Sequence, residues 1–279
     1  MRNLNFLAMT LGCLLFTGCM STTKMGTAGA ERKQFMMIPE KAWNAQSDKS
    51  YKRFVNQAKD KQVLVIDRKL DHVLENLRSE ADVFRTGAKA WNWDIKGNLN
   101  GELNAHSLPG GKIIVNTGLY WGLKLSEDEL AFVIAHEMAH SLRDHNREKA
   151  SIMLASNVAL LTATAGVGGI ASAAASAASQ TAMIPQGWNL EVEADLIGLD
   201  IMSRAGYNPD AAVKFWNKFQ AESIRRKAYN VKPLMSDDLF AKRMANIEKN
   251  LPAMQVKYEQ ALSLKGQVDR YTTQAIVKN

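Results

Sequence analysis

Apolar positions recur at helical spacing at Leu70, Val73, Leu74 and Leu77, which predicts a helix over about 58–80. Trp91, Trp93 and Ile95 then alternate with polar residues, as in a half-buried strand. Asn98 to Leu103 is rich in asparagine and glycine and predicts a turn. Pro109-Gly110-Gly111 predicts another, and Lys112 to Asn116 a second strand. Ser126, with Glu129 three residues later, forms the pattern of a capping box, so a helix starts there and runs to about Asp144. A further helix is expected from about Leu190 to Ala205. Asn208-Pro209 caps the next, whose apolar face is Ala212, Phe215, Trp216 and Phe219. The last helical region spans about 236–270 and is expected to be interrupted near Pro252.

Between the helices that end near 144 and begin near 190 lies a stretch of different character. Residues 151–190 carry no charged side chain and are dominated by Ala, Ser, Thr and Gly. Two helices hinged at Gly166, Gly168 and Gly169 fit it, packed as a hairpin on the soluble body. A mobile cover over a cleft, or a membrane-touching hairpin, is the alternative. Small residues give low hydrophobicity and glycines interrupt both possible spans.

The amino terminus has Arg2, an apolar run from Leu4 to Phe16, and then Thr17-Gly18-Cys19. This has the shape of a secretory signal, too short for a spanning helix. The small residues before Cys19 resemble a bacterial lipoprotein cleavage box, although Phe16 stands where leucine is usual. The resemblance implies cleavage after Gly18, lipid attachment at Cys19 and, with Met20 and Ser21 following, an outer-membrane location facing the periplasm. The expected organisation is a signal peptide at 1–18, a flexible tether at 19–34 and one domain at 35–279.

Composition narrows the class. The chain has 279 residues, 46% hydrophobic and 23% charged, within the soluble globular range. Cys13 and Cys19 are its two cysteines, so the body has neither a disulfide framework nor a cysteine metal site. The net charge of +7 is scattered, with no run of five Lys or Arg, which gives no support to nucleic-acid binding.

The chemistry is concentrated in His136-Glu137-Met138-Ala139-His140. Histidines four apart share one helix face and can bind one zinc ion together. Glu137 is placed to act as general base toward a water on that zinc. Apolar Phe132, Val133 and Ile134 suit a buried active-site helix. A catalytic zinc needs a third protein ligand and an open position. A downstream histidine of the metzincin type fails, because Arg143 and Asn146 occupy the required places and His145 is one residue off. Glu191-Val192-Glu193-Ala194-Asp195 offers a glutamate instead. Glu191 and Asp195 share a helix face, so Glu191 could bind zinc while Asp195 accepts a hydrogen bond from a ligand histidine. Glu193 is expected to point away into solvent.

HEMAH and EVEAD, with NAHSLPGGKIIVNTGL upstream, together resemble the HtpX/Oma-type zinc metallopeptidases, metallopeptidase family forty-eight. With the signal included, the chain is similar to their LoiP-like periplasmic lipoprotein members. The resemblance implies an α+β, zincin-like (gluzincin) fold, with a small sheet against the metal-binding helices. It implies one zinc per chain on His136, His140 and Glu191, with Glu137 and Asp195 catalytic. It also implies that Asn104 to Asn116 forms an edge strand beside the cleft. Some periplasmic members hold a zinc-capping histidine where this chain has Asp237. Asp237 either reaches the zinc or caps the last helix. Arg243 either steadies the tetrahedral intermediate or makes a surface ion pair. His106 either approaches the cleft or faces solvent.

The expected function is endoproteolysis of misfolded or misassembled cell-envelope proteins, with the assembly machinery or a second copy as further partners. A zinc-binding, chaperone-like assembly factor is the alternative, and an integral-membrane protease a third.

Overall fold

The computed structural model describes residues 19–24, 32–164, 189–227 and 236–277. The expected signal peptide at 1–18 lies outside the described residues, as does most of the expected hairpin.

In chain order the elements are β1 (Cys19–Met20), β2 (Gln34–Phe35), α1 (Glu40–Asp60), β3 (Leu64–Val65), α2 (Arg68–Arg78) and α3 (Ala81–Phe84). There follow β4 (Asp94–Asn98), β5 (Ala105–Leu108), β6 (Lys112–Asn116), α4 (Thr117–Tyr120), α5 (Glu127–Leu142) and α6 (His145–Thr164). Helix α7 covers 189–204, α8 is Asp210–Lys227 and α9 is Asp237–Val277. The described residues are mostly helical with a small mixed sheet, an α+β arrangement.

That sheet has the order β3-β4-β6-β5. β4 and β6 are parallel, while β3 and β5 run antiparallel to their neighbours. Central β6 is buried at every position, whereas β4 alternates buried and half-buried. This is the difference expected between a strand covered on both faces and one covered on one face. Pro109-Gly110-Gly111 closes the β5–β6 hairpin, with both glycines at positive φ (81° and 83°). The expected edge strand from Asn104 to Asn116 is therefore two strands. Of these two, β5 is an edge strand and β6 lies inside the sheet.

α5 packs against β5 and β6 on one side and contacts α2, α6 and α8. It is buried almost all round, as a helix apolar on every face must be. Its capping box forms as the sequence predicts: Ser126 Oγ accepts from the Glu129 amide, and Glu129 Oε2 accepts from the Ser126 amide at 2.7 Å.

Several boundaries differ from expectation. The helix expected over 58–80 is the end of α1, the short strand β3 and then α2. The break comes at Asp67, whose side chain accepts from the Lys69 amide and caps α2. α9 runs unbroken through Pro252. The stretch 19–34 is not a free tether at its described ends. β1 pairs with β2, and Thr23 and Gln34 are buried against the body. Among the described residues no helix is long and apolar enough to cross a membrane.

Candidate metal centre and active site

The middle of α5 carries His136, Glu137 and His140, and the start of α7 carries Glu191 and Asp195. The two helices can approach because residue 198 is glycine. A Cβ there would lie 2.8 Å from the His136 amide nitrogen and 3.0 Å from its Cα. Backbone therefore meets backbone beside the first histidine.

Each histidine turns Nε2 toward the other, with 3.0 Å between them. Glu191 reaches the same point, with Oε2 3.5 Å from His136 Nε2 and Oε1 3.7 Å from His140 Nε2. All three ligand-type atoms lie within 4.8 Å of one another. Two donors on tetrahedral zinc, each ~2.0–2.1 Å from the metal, stand roughly 3.3–3.4 Å apart. The two-imidazole, one-carboxylate set therefore fits a divalent cation in both spacing and chemistry.

Behind the histidines, the Nδ1 atoms are held. His136 Nδ1 is 3.0 Å from Asp195 Oδ1. Asp195 is fully buried and clamped by Arg243 through Nε (2.6 Å) and Nη2 (2.7 Å). Burial disfavours the Asp195 charge, but Arg243 outweighs it and holds the carboxyl below its ordinary range. Burial likewise opposes a charged His136, yet hydrogen bonds to Asp195 and Glu191 push the metal-free imidazole up to about 9.

Arg243 is no surface ion pair. It is buried, its Nη1 is 3.4 Å from Glu191 Oε2, and its guanidinium lies 4.0 Å from the centre of the Trp216 ring. Asp237 lies at the exposed start of α9, outside the convergent ligand group. Ser236, whose Oγ accepts from the Leu239 amide, caps that helix in its place. His106 is exposed on β5.

A cleft of about 850 Å³ opens over His136 and Glu191. Its walls include Glu137, Ala105 of the edge strand, Arg243, and an aromatic group of Phe132, Phe215, Trp216 and Phe219.

Glu193 corrects the sequence reading most sharply. It is buried, not solvated, and its Oε1 lies 2.6 Å from Arg143 Nη2. Its Oε2 is 3.1 Å from both His145 Nε2 and Arg32 Nη2. Arg143, which first stood out only as the wrong residue for a metzincin, is fully buried. It binds Ser21 and Thr23 hydroxyls and the Arg32 carbonyl, pinning the amino-terminal segment to the end of α5. The overlooked signal was the charged run Arg143 to Glu148 directly after an apolar helix. Charges that follow a buried helix so closely are themselves forced inside and must be paired.

Comparison with known proteins adds a family. The model described as Peptidase family M48 matches residues 66–255. Among relatives, the chain is 33% identical over 175 residues to "Mitochondrial metalloendopeptidase OMA1" of Schizosaccharomyces pombe, covering 62% of this chain and 51% of that protein. It is 31% identical over 177 residues to the protein of the same name from Saccharomyces cerevisiae, covering 61% and 50%. It is 29% identical over 129 residues to "Beta-barrel assembly-enhancing protease" of Escherichia coli K12, covering 43% and 26%. The chain thus spans about half the length of the yeast relatives. These comparisons overturn the expected location: the matched yeast proteins are named mitochondrial, not outer-membrane lipoproteins of a bacterium.

Proposed function

The chain belongs to peptidase family M48, and on that premise we propose that it is a zinc-dependent metalloendopeptidase of the zincin-like, gluzincin type. Its substrates in this reading are unfolded or misassembled polypeptides. The names of its relatives, metalloendopeptidase and assembly-enhancing protease, support the proteolytic activity. One observation carries the proposal: His136, His140 and Glu191 converge within 4.8 Å, with Glu137 on the wall of the same cleft.

His136, His140 and Glu191 would hold one zinc ion. When bound, zinc lowers the pKa of water to about 7 and stabilises the oxyanion of a polarised carbonyl. Glu137 takes a proton from the attacking water and returns it to the leaving nitrogen. Asp195 holds His136 in the tautomer that leaves Nε2 free to ligate, and Arg243 keeps Asp195 ionised and in place. Arg243 also borders the cleft, where its guanidinium would favour an anionic intermediate. β5, the edge strand that borders the cleft, offers main-chain groups to an extended substrate.

The test is Glu137→Gln. The variant is expected to keep zinc at the parent's level and lose casein hydrolysis by at least 10²-fold. Hydrolysis at the parent's rate by a zinc-loaded variant refutes the mechanism. Zinc binding by the parent with no hydrolysis under any condition favours the chaperone-like alternative.

A further inference from the structure

The two ligand histidines are supported differently. His136 rests on a carboxylate, the arrangement described above. His140 has its Nδ1 2.8 Å from Nδ1 of His145, a residue outside the convergent ligand group. The two rings stand nearly perpendicular, 76° apart. His145 Nε2 in turn lies 3.1 Å from Glu193 Oε2, and both side chains are buried.

The chain geometry that creates this contact is specific. α5 ends at Leu142, and Asp144 takes positive φ (52°), reversing direction so that α6 starts at His145. An aspartate tolerates that conformation better than most residues. Its carboxylate is held by Arg85 Nη1 (3.0 Å) and Arg147 Nη2 (2.8 Å), which locks the reversal. His145 is thereby folded back onto the helix it follows.

Proton bookkeeping along the chain has one consistent solution. If His140 ligates through Nε2, its Nδ1 carries the hydrogen and donates to His145 Nδ1. His145 must then carry its own hydrogen on Nε2 and donate it to Glu193. Every ring nitrogen is used, and no proton is left over.

We propose that His145 and Glu193 are positioning residues for His140, a carboxylate–imidazole relay that fixes its tautomer and ring orientation for metal binding. The inference rests on the metalloendopeptidase reading above. The relay is the counterpart of Asp195 behind His136, with an imidazole standing between the carboxylate and the ligand histidine. Arg143 and Arg32 hold Glu193 from the other side, so the amino-terminal segment carrying Arg32 closes the relay.

Two substitutions separate positioning from packing. His145→Leu keeps an apolar side chain of fair size but neither accepts from His140 nor donates to Glu193. His145→Gln can do both, through its amide oxygen and nitrogen. Zinc affinity, measured by chelator competition, is expected to fall 10–100-fold in His145→Leu. The visible absorption of the cobalt(II)-substituted protein should change with it. His145→Gln is expected to recover most of both. Independently of any variant, nitrogen-15 shifts of the histidine-labelled parent should show His145 as the Nε2–H tautomer.

Parent-like affinity and cobalt spectrum in His145→Leu overturn the proposal. So does equal loss in His145→Gln, which would mean that shape alone matters, and so does an Nδ1–H tautomer. If His145→Leu fails to fold, the glutamine variant and the tautomer decide. A parent that binds zinc in a manner abolished by Glu191→Ala, yet is indifferent to His145→Leu, sinks this inference alone. A parent that binds no zinc sinks the metalloendopeptidase reading as well.

Discussion

Gly198 is the most revealing position to perturb, because two effects of opposite sign act there and only the tertiary contact predicts the winner. Replacing an interior helical glycine by alanine normally gains about 1 kcal/mol from helix propensity. At Gly198 the new Cβ would stand 2.8 Å from the His136 nitrogen, 3.0 Å from its Cα and 3.1 Å from the Ala135 carbonyl carbon. Comfortable carbon contacts are ~3.5–4.0 Å, so α5 and α7 must part by roughly 0.5–1 Å. The obstructing atoms are backbone inside a helix and cannot rotate aside. Overpacking of this kind costs about 1–3 kcal/mol, which leaves a net loss of roughly 0–2 kcal/mol. Metal affinity is the sharper readout, because ligand distances tolerate only about 0.2 Å. Glu191 sits on one of the parting helices and both histidines on the other. Gly198→Ala is therefore expected to weaken zinc at least about tenfold, while the metal-free melting temperature changes little or falls slightly. Gly266→Ala is the control: at that exposed helical position an added Cβ would meet no atom within 4 Å, and the variant should gain up to about 1 kcal/mol without touching zinc. Chelator competition and thermal denaturation with and without zinc measure both. A Gly198→Ala protein stabilised like the Gly266 variant, with parent-like zinc affinity, would refute the close-approach argument.

Ser126→Ala removes the cap of α5 and is expected to cost about 1 kcal/mol in denaturant unfolding, without changing zinc stoichiometry. Arg243→Gln leaves Asp195 buried without its cation, so zinc affinity and the melting temperature should both fall, and Arg243→Lys should recover only part, since lysine cannot clamp bidentately. Zinc at 100 times its Kd should stabilise the parent by about 2.7 kcal/mol and do nothing for Glu191→Ala. Glu148 gives a pH signature. Burial raises its pKa, but bonds from Arg32 and Gln34 outweigh this and lower it from 4.5. Its contribution to stability is therefore complete above the unfolded value and is lost as pH falls through the depressed one. Glu148→Gln should flatten the acid limb of melting temperature against pH, and an unchanged slope would show that the Arg32 pair contributes nothing.

The geometry of the proposed site was legible before folding wherever it depended on neighbours in sequence. His136 and His140 share a face because residues four apart do so in any α-helix. Ser126 and Glu129 announced the start of that helix, whereas of the alternating Trp91, Trp93 and Ile95 only Ile95 falls within β4. Glu191 and Asp195 could be paired as ligand and support by the same one-turn spacing, although nothing local said that α7 would meet α5. Periodicity merged the end of α1, β3 and α2 into one helix, because it registers apolar spacing more strongly than the Asp67 cap that restarts it. Pro252 was overread as a break in α9.

What lay beyond local reasoning was partner choice. Glu193 looked solvated, since the face opposite a ligand is usually exposed. It is buried only because Arg143, His145 and Arg32 converge on it from two separate stretches of chain. Arg243 likewise becomes the clamp on Asp195 only when α9 packs beside α7. The amino acid order alone thus determined which groups could bind a metal and activate water, because helix geometry is set within a few residues. Tertiary structure decided which carboxylates are buried and what charge each one faces, because both depend on contacts between residues about 50 to 160 positions apart, which no spacing rule encodes.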